Sequence, residues 1–328
     1  MIKIAVIGLG HPHIFSMISQ LLAEPEFNIV ALCDPREPIN VKRAMEMVPN
    51  AKCFENEEEV YAQCDFDAVL SSAANGYKGD IAIRALQNDK SIVFDKPLVT
   101  RKSDLERIKS LLIEKPYLSA NLWLTCRYAK GYYTVKEMIN QGLIGDIVHM
   151  YFVRPMRLAP QNRPSWMFDE RYGGILNDIG VHDLDLARWF SGSECKEISY
   201  AKASTARYKD YTIEDTGYVS MIMENNALVT ILDSWLTPDK FPAHSDARVM
   251  ITGTKGMIET VQYPEILVKV VSDDLEPRTV ELLQPKNSQA KELLTILTNQ
   301  DIPTILKPTD AIQSTELALE VQAMAEKR

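Results

Sequence analysis

In the first part of the chain, short apolar runs rich in β-branched residues alternate with stretches whose apolar positions recur at helical spacing. The runs KIAVIGL, NIVALCD, KCF, FDAVLSS, SIVFD and YLSANLW predict strands. Between them HIFSMISQLLAE, GYKGDIAIRALQND and RKSDLERIKSLLIEK predict helices, the last stopping ahead of Pro116. Strands alternating with helical crossovers predict an α/β unit, a Rossmann-like doubly wound parallel sheet over residues 1–123.

The pattern then changes. YAKGYYTVKEMINQGLIG predicts a helix stopped at Gly142, DIVHMYFVRP a strand, and a loop rich in proline and arginine runs on to Tyr172. After the helix DIGVHDLDLARWFSG come EISYAKAST, DTGYVSMIM, ALVTILDSWL, ARVMITG, MIETV and EILVKVVS, which alternate at strand spacing. Such a series predicts an α+β domain with a large open, mostly antiparallel sheet over residues 124–328, with turns at MENNAL and TGTKGM. The tail predicts one amphipathic helix over 309–327, expected to pack back toward the first domain.

A net charge of -9 leaves no basic stripe for nucleic acid or an anionic membrane, so a small-molecule partner is expected. The five cysteines, Cys33, Cys53, Cys64, Cys126 and Cys195, are scattered and form no C-x-x-C pair. They read as free thiols, and with no signal-peptide pattern or long apolar run the expected location is cytoplasmic.

Three stretches carry candidate chemistry. IGLGHPH ends a predicted strand and opens a helix, so Gly8 and Gly10 stand where a dinucleotide fingerprint has its first two glycines. His13 holds the third position, which puts helix placement in doubt more than phosphate contact. The His11 and His13 pair has no further ligand in view, so no metal is expected. Asp34, 24 residues beyond Gly10, ends the second strand where a carboxylate accepts from an adenosine ribose, favouring NAD. Arg36 weakens that preference, because a guanidinium there can pair with the 2'-phosphate of NADP.

FDKP places Lys96 at the ligand-binding edge of the sheet, and Pro97 fixes the turn and allows a cis bond. In GGILNDIGVHDLD, helical spacing puts Asp178, His182 and Asp185 on one face and turns Asp183 about 100° away. Asp178 also sits early enough to cap that helix. A metal site would need ligands from elsewhere, while acid/base chemistry needs only a carboxylate orienting an imidazole. Spacing alone also leaves a structural role open, with His182 satisfied in a core and the aspartates solvated.

Taken in order, IGLGHPH, FDKP, SWMFDERYGGILNDIGVHDLD and ITGTKG resemble the family of glucose-fructose oxidoreductase, inositol dehydrogenase and MocA proteins. The resemblance covers essentially the whole chain. It implies an NAD(P)-dependent dehydrogenase of sugars, polyols or inositols, with Lys96, Asp178 and His182 catalytic. It also implies cofactor contacts from Gly8, Leu9, Gly10, His11, Pro12, His13, Asp34, Arg36, Ala73, Asn75, Asp95, Lys96 and Pro97. Asp95 replaces the family's glutamate, and Lys78 replaces a histidine.

On this reading His182 exchanges the substrate hydroxyl proton, Asp178 orients the imidazole, and the Lys96 ammonium stabilises charge on oxygen. Arg127, Arg154, Trp166, Tyr172 and Asp185 are candidates, with the catalytic trio, for holding the polyol. An open sheet face implies a homodimer or homotetramer. The rival readings are a non-catalytic dinucleotide or sugar sensor, a glycoside hydrolase using NAD transiently, and a scaffold.

Overall fold

The computed structural model describes residues 1–326, so residue 327 of the expected last helix lies outside the described residues. The chain divides into two compact units. The first comprises residues 1–124, 164–173 and 287–316, and the second comprises 125–163, 174–286 and 317–328. Each unit is therefore assembled from more than one stretch of chain, where the sequence suggested a single crossing near residue 123.

In the first unit the order is β1 (Ile2–Ile7), α1 (His13–Leu22), β2 (Phe27–Cys33), α2 (Pro38–Met47), β3 (Lys52–Phe54), α3 (Glu57–Gln63) and β4 (Ala68–Ser71). Then come α4 (Lys78–Gln87), β5 (Ser91–Asp95), α5 (Lys102–Glu114) and β6 (Ala120–Trp123). The six strands form one sheet in the order β3-β2-β1-β4-β5-β6, with every pair parallel. This is the doubly wound dinucleotide-binding order. Its topological switch lies between β1 and β4, beside the loop that carries Gly8 and Gly10.

Buried Ile14, Met17, Ile18 and Leu21 of α1 pack with Ile4, Val6, Leu32, Leu70 and Val93 of the sheet. Two helices here left no apolar signature. Only Ala44 of α2 is buried. The start of α3 is set by polar chemistry, the Asn56 side chain accepting from the Glu59 amide ahead of a run of three glutamates at the helix's positive end.

The second unit opens with α6 (Lys130–Asn140), β7 (Ile147–Pro155), α7 (Ile175–Asp178), α8 (Gly180–Ser191), β8 (Cys195–Ser204), β9 (Thr216–Met223) and β10 (Leu228–Ser234). It continues through β11 (Arg248–Gly253), β12 (Gly256–Val261), β13 (Leu267–Ser272) and β14 (Leu275–Thr279). Its eight strands run in the order β14-β13-β12-β11-β7-β10-β9-β8. Only β7 and β10 pair in parallel, so the expected mostly antiparallel sheet is present.

One sheet face is covered: Phe152 of β7 stacks on Phe190 of α8, their planes 9° apart. On the other face Tyr200, Tyr218, Leu228, Met250 and Met257 are 36% to 49% exposed. Of the last two helices, α9 (Gln289–Leu297) belongs to the first unit, where Ala290, Leu293 and Leu294 join the core. The final helix α10 (Asp310–Glu326) begins among residues of the first unit and ends among those of the second.

Candidate functional site

Strand β1 delivers its carboxyl end into Gly8, whose φ of +83° suits glycine. A Cβ on Gly10 would stand 2.7 Å from the Ala74 amide nitrogen, so only a bare backbone fits against Ala73 and Ala74. The Leu9 peptide between them is clamped at both ends. Its N–H donates to Asp34 Oδ2 at 2.6 Å, and its carbonyl accepts from the Asn40 side chain at 2.7 Å. Asp34 also accepts from the Arg36 amide, and the Arg36 guanidinium lies 4.5 Å over the Tyr77 ring. Trp166 Nε1 donates to the Gly10 carbonyl at 3.1 Å, and the Asn75 side chain donates to the Tyr172 carbonyl at 3.1 Å. The result is a glycine-lined concavity at the start of α1 with an acidic group at the end of β2, which fits a dinucleotide's pyrophosphate and ribose.

At the end of β5, Lys96 precedes a cis bond to Pro97. Beneath this turn lies a residue whose importance spacing could not reveal. Lys78 is fully buried, and its ammonium donates to the carbonyls of Asp95, Lys96 and Pro97 at 2.9, 3.0 and 3.1 Å. A buried cation is tolerable when every proton meets an acceptor, and three carbonyls supply that. The residue that departs from the family pattern thus holds the lysine-proline turn in shape.

Asp95 is likewise buried. Its carboxylate accepts from Ser72 Oγ at 3.0 Å and meets His13 Nδ1 at 3.0 and 3.1 Å, with His11 Nδ1 at 3.8 Å. Burial pushes the Asp95 carboxyl up, but His13, Lys78 and His11 outweigh it and hold the group well below the ordinary carboxylate range. The third ligand-type group that sequence spacing lacked beside His11 and His13 is therefore present.

In the second unit Gly174, at φ +88°, precedes α7, and a Cβ there would collide with the Gln322 side chain. Gln322 uses that proximity to accept from the Leu176 amide at 3.0 Å. The expected single helix is two segments, α7 and α8, joined through Ile179. Asp178 ends the first segment, one residue ahead of Ile179. Cys126 Sγ lies 3.6 Å from His182 Nδ1.

From Gly174 to Arg188 every residue is buried except His182. Neither Asp183 nor Asp185 is solvated. Asp183 pairs with Arg154 through two contacts at 2.5 and 3.0 Å, and Asp185 pairs with Arg127 through two at 2.7 and 2.9 Å. Each pair is a bidentate fork, the strong form of an Arg–carboxylate contact. Together they fasten α8 to β7 and to the segment that carries Cys126.

Near the first pair, Asp233 of β10 is fully buried, and among the described residues no donor reaches either of its oxygens. Burial and the Asp183 charge push its carboxyl well above the ordinary carboxylate range despite Arg154.

These contacts give several expected substrate residues other tasks. Arg127, Arg154 and Asp185 are 1% to 6% exposed, Arg127 and Asp185 paired with each other and Arg154 with Asp183. Trp166 and Tyr172, at 3% and 2% exposed, brace the glycine loop and Asn75. Of the expected catalytic trio, Lys96 and Asp178 are buried and His182 is partly exposed.

Comparison with known proteins agrees with this geometry. Residues 2–120 match the oxidoreductase family with an NAD-binding Rossmann fold, and residues 132–259 match the GFO/IDH/MocA C-terminal domain. The chain belongs to the GFO/IDH/MocA oxidoreductase family. It is 28% identical over 199 residues to scyllo-inositol 2-dehydrogenase (NAD(+)) of Bacillus subtilis, covering 60% of this chain and 56% of that protein. Against the myo-inositol 2-dehydrogenase of Thermotoga maritima it is 25% identical over 313 residues, covering 90% of this chain and 87% of the other. The match thus spans little more than half of the Bacillus enzyme but most of the Thermotoga one. A solved oxidoreductase structure from Thermotoga maritima superposes with a TM-score of 0.89 at 23% identity, covering 99% of this chain and 98% of that one. Among the described residues no helix is long and apolar enough to cross a membrane.

Proposed function

We propose that this member of the GFO/IDH/MocA family is an NAD-dependent dehydrogenase acting on a secondary hydroxyl of a cyclic polyol or sugar. The observation that carries the reading is His182, the one residue from Gly174 to Arg188 that is not buried, on a helix pinned by two ion pairs. A solvated or merely packed histidine needs no such mounting. An imidazole that must meet a substrate proton at a fixed place does.

His182 accepts the hydroxyl proton as the alcohol is oxidised and returns it in the reverse direction. Asp178, four residues earlier and buried, is assigned to orienting the ring. Lys96 is assigned to the substrate oxygen, from the turn that Lys78 holds through its three carbonyls. The bound nicotinamide supplies the hydride-transfer chemistry. The preference for NAD over NADP rests on Asp34, whose carboxylate would face the ribose and repel a 2'-phosphate.

The polyol assignment draws support from the inositol dehydrogenases among the relatives. The apolar outer face of the second sheet supports a homodimer or homotetramer, since Tyr200, Tyr218, Leu228, Met250 and Met257 gain by being covered. Five free cysteines suit the reducing cytoplasm. Steady-state assays with NAD and NADP against inositols, sugars and their keto forms test the proposal, read as absorbance of the reduced nicotinamide. Turnover with at least one inositol or sugar, faster with NAD, is expected. Product release with no net change in reduced cofactor would favour the hydrolase reading, and cofactor binding with no turnover on any of them a sensor.

A further inference from the structure

The cluster formed by His11, His13 and Asp95 does more than close a loop. One ligand atom from each residue lies within 4.8 Å of the other two. On a tetrahedral zinc ion, ligands at about 2.1 Å stand roughly 3.4 Å apart. The separations here bracket that figure, 3.0 Å from His13 Nδ1 to Asp95 Oδ2 and 3.8 Å from His11 Nδ1 to the same oxygen. Two imidazoles and a carboxylate are a donor set suited to zinc, cobalt or nickel and poorly suited to magnesium or calcium. Ser72 Oγ, donating to Asp95 Oδ2, supplies the outer hydrogen bond that orients a ligating carboxylate. His13 has half its side chain exposed, which gives an ion an entry path and leaves room for water as a further ligand.

We propose that His11, His13 and Asp95 bind one divalent transition-metal ion of the zinc class when no dinucleotide is present, and that metal and dinucleotide exclude one another. The exclusion rests on the reading of the Gly8–His13 segment as the phosphate cradle, because the two imidazoles belong to that same run of backbone. Two features oppose tight binding. The amino end of α1 favours anions, and the Lys78 ammonium lies against the Asp95 carbonyl. The His13 amide, 3.2 Å from His11 Nδ1, must also release that nitrogen. The ion is therefore an exchangeable inhibitor and not a structural cofactor.

The test is a titration of the full chain, stripped with EDTA, with zinc chloride and separately with cobalt chloride. Stoichiometry is read by metal analysis and coordination by the visible absorption of cobalt. One ion per chain is expected, with a cobalt spectrum of low coordination number. His11→Gln and His13→Gln should each weaken binding roughly tenfold or more. The glutamine at position 13 can keep a hydrogen bond to Asp95, and unchanged thermal melting of the apo variants confirms that they fold. Cys126→Ala, which removes the thiol beside His182, should leave zinc affinity unchanged.

Zinc affinity unaltered in both glutamine variants, or lost in Cys126→Ala, overturns the site. Saturating NAD should displace the ion, and zinc retained beside bound NAD overturns the exclusion. NAD titration without metal reads the cradle by itself, so failure of the cofactor reading and failure of the metal site give different results.

Discussion

Cys126 Sγ stands 3.6 Å from Nδ1 of His182, the one residue from Gly174 to Arg188 that is not buried. The contact bears on which ring nitrogen is reactive. When Nδ1–H donates to the sulfur, Nε2 carries the lone pair that accepts a proton.

Removing the thiol releases the other tautomer, in which Nε2 is blocked. Cys126→Ala should lower kcat roughly tenfold with KM little changed and should displace the pH profile of kcat/KM. Cys126→Ser, which can still accept from Nδ1, should recover most of the rate. Equal kcat values and pH profiles in all three proteins would show that the contact is only packing.

Asp233 gives a pH dependence with a definite sign. Its carboxyl is raised in the folded protein by burial and by Asp183, so the folded state holds a proton that the unfolded state has already released. Stability therefore falls as pH rises from the unfolded carboxylate value, about 3.9, toward the raised folded value. Asp233→Asn removes this linkage and offers Asp183 a permanent donor. The variant should melt higher than the parent at pH 8 and by a smaller margin at pH 5. Parallel melting curves at both pH values would contradict the assignment.

Lys78 is expected to matter through the turn it supports. Lys78→Met leaves three buried carbonyls without their donor, costing about 3 kcal/mol. Denaturant unfolding measures this directly. A loss below about 0.5 kcal/mol would mean that the turn holds itself, against the range expected for buried unsatisfied groups.

The cradle makes a sharper demand at Gly10. A methyl group there would press on the Ala74 backbone nitrogen at 2.7 Å, which cannot retreat as a flexible side chain could. Gly10→Ala should weaken NAD binding by at least about tenfold or cost roughly 1–3 kcal/mol of stability. Calorimetric titration and thermal melting distinguish the two outcomes.

Much of this was legible in the sequence, for identifiable reasons. Strands β4, β5 and β6 declare themselves because burial on both sheet faces demands continuous apolar runs. The second sheet shows through its alternation, as at Val249 and Ile251 inside against Met250 outside. Helices α2 and α3 were not legible, since one buries a single alanine and the other rests on a side-chain cap. The partners of Arg127 and Arg154 were hidden for another reason. They lie 58 and 29 residues away in sequence, and no periodicity spans such distances. A polar residue that looks like a substrate ligand in a list of charges becomes a scaffold residue once its partner is known. Lys78 shows the same effect, a charged residue on a helix pattern that turns out to be wholly buried.

The central claim is that Lys96 and His182 carry the chemistry of a cofactor-dependent dehydrogenase. The most direct test measures NAD binding and single-turnover alcohol oxidation side by side in the parent, Lys96→Met and His182→Ala. The account predicts NAD affinity within a few-fold of the parent and a rate lowered about a hundredfold or more in each variant. Folded variants that bind NAD and turn over at the parent's rate would contradict it.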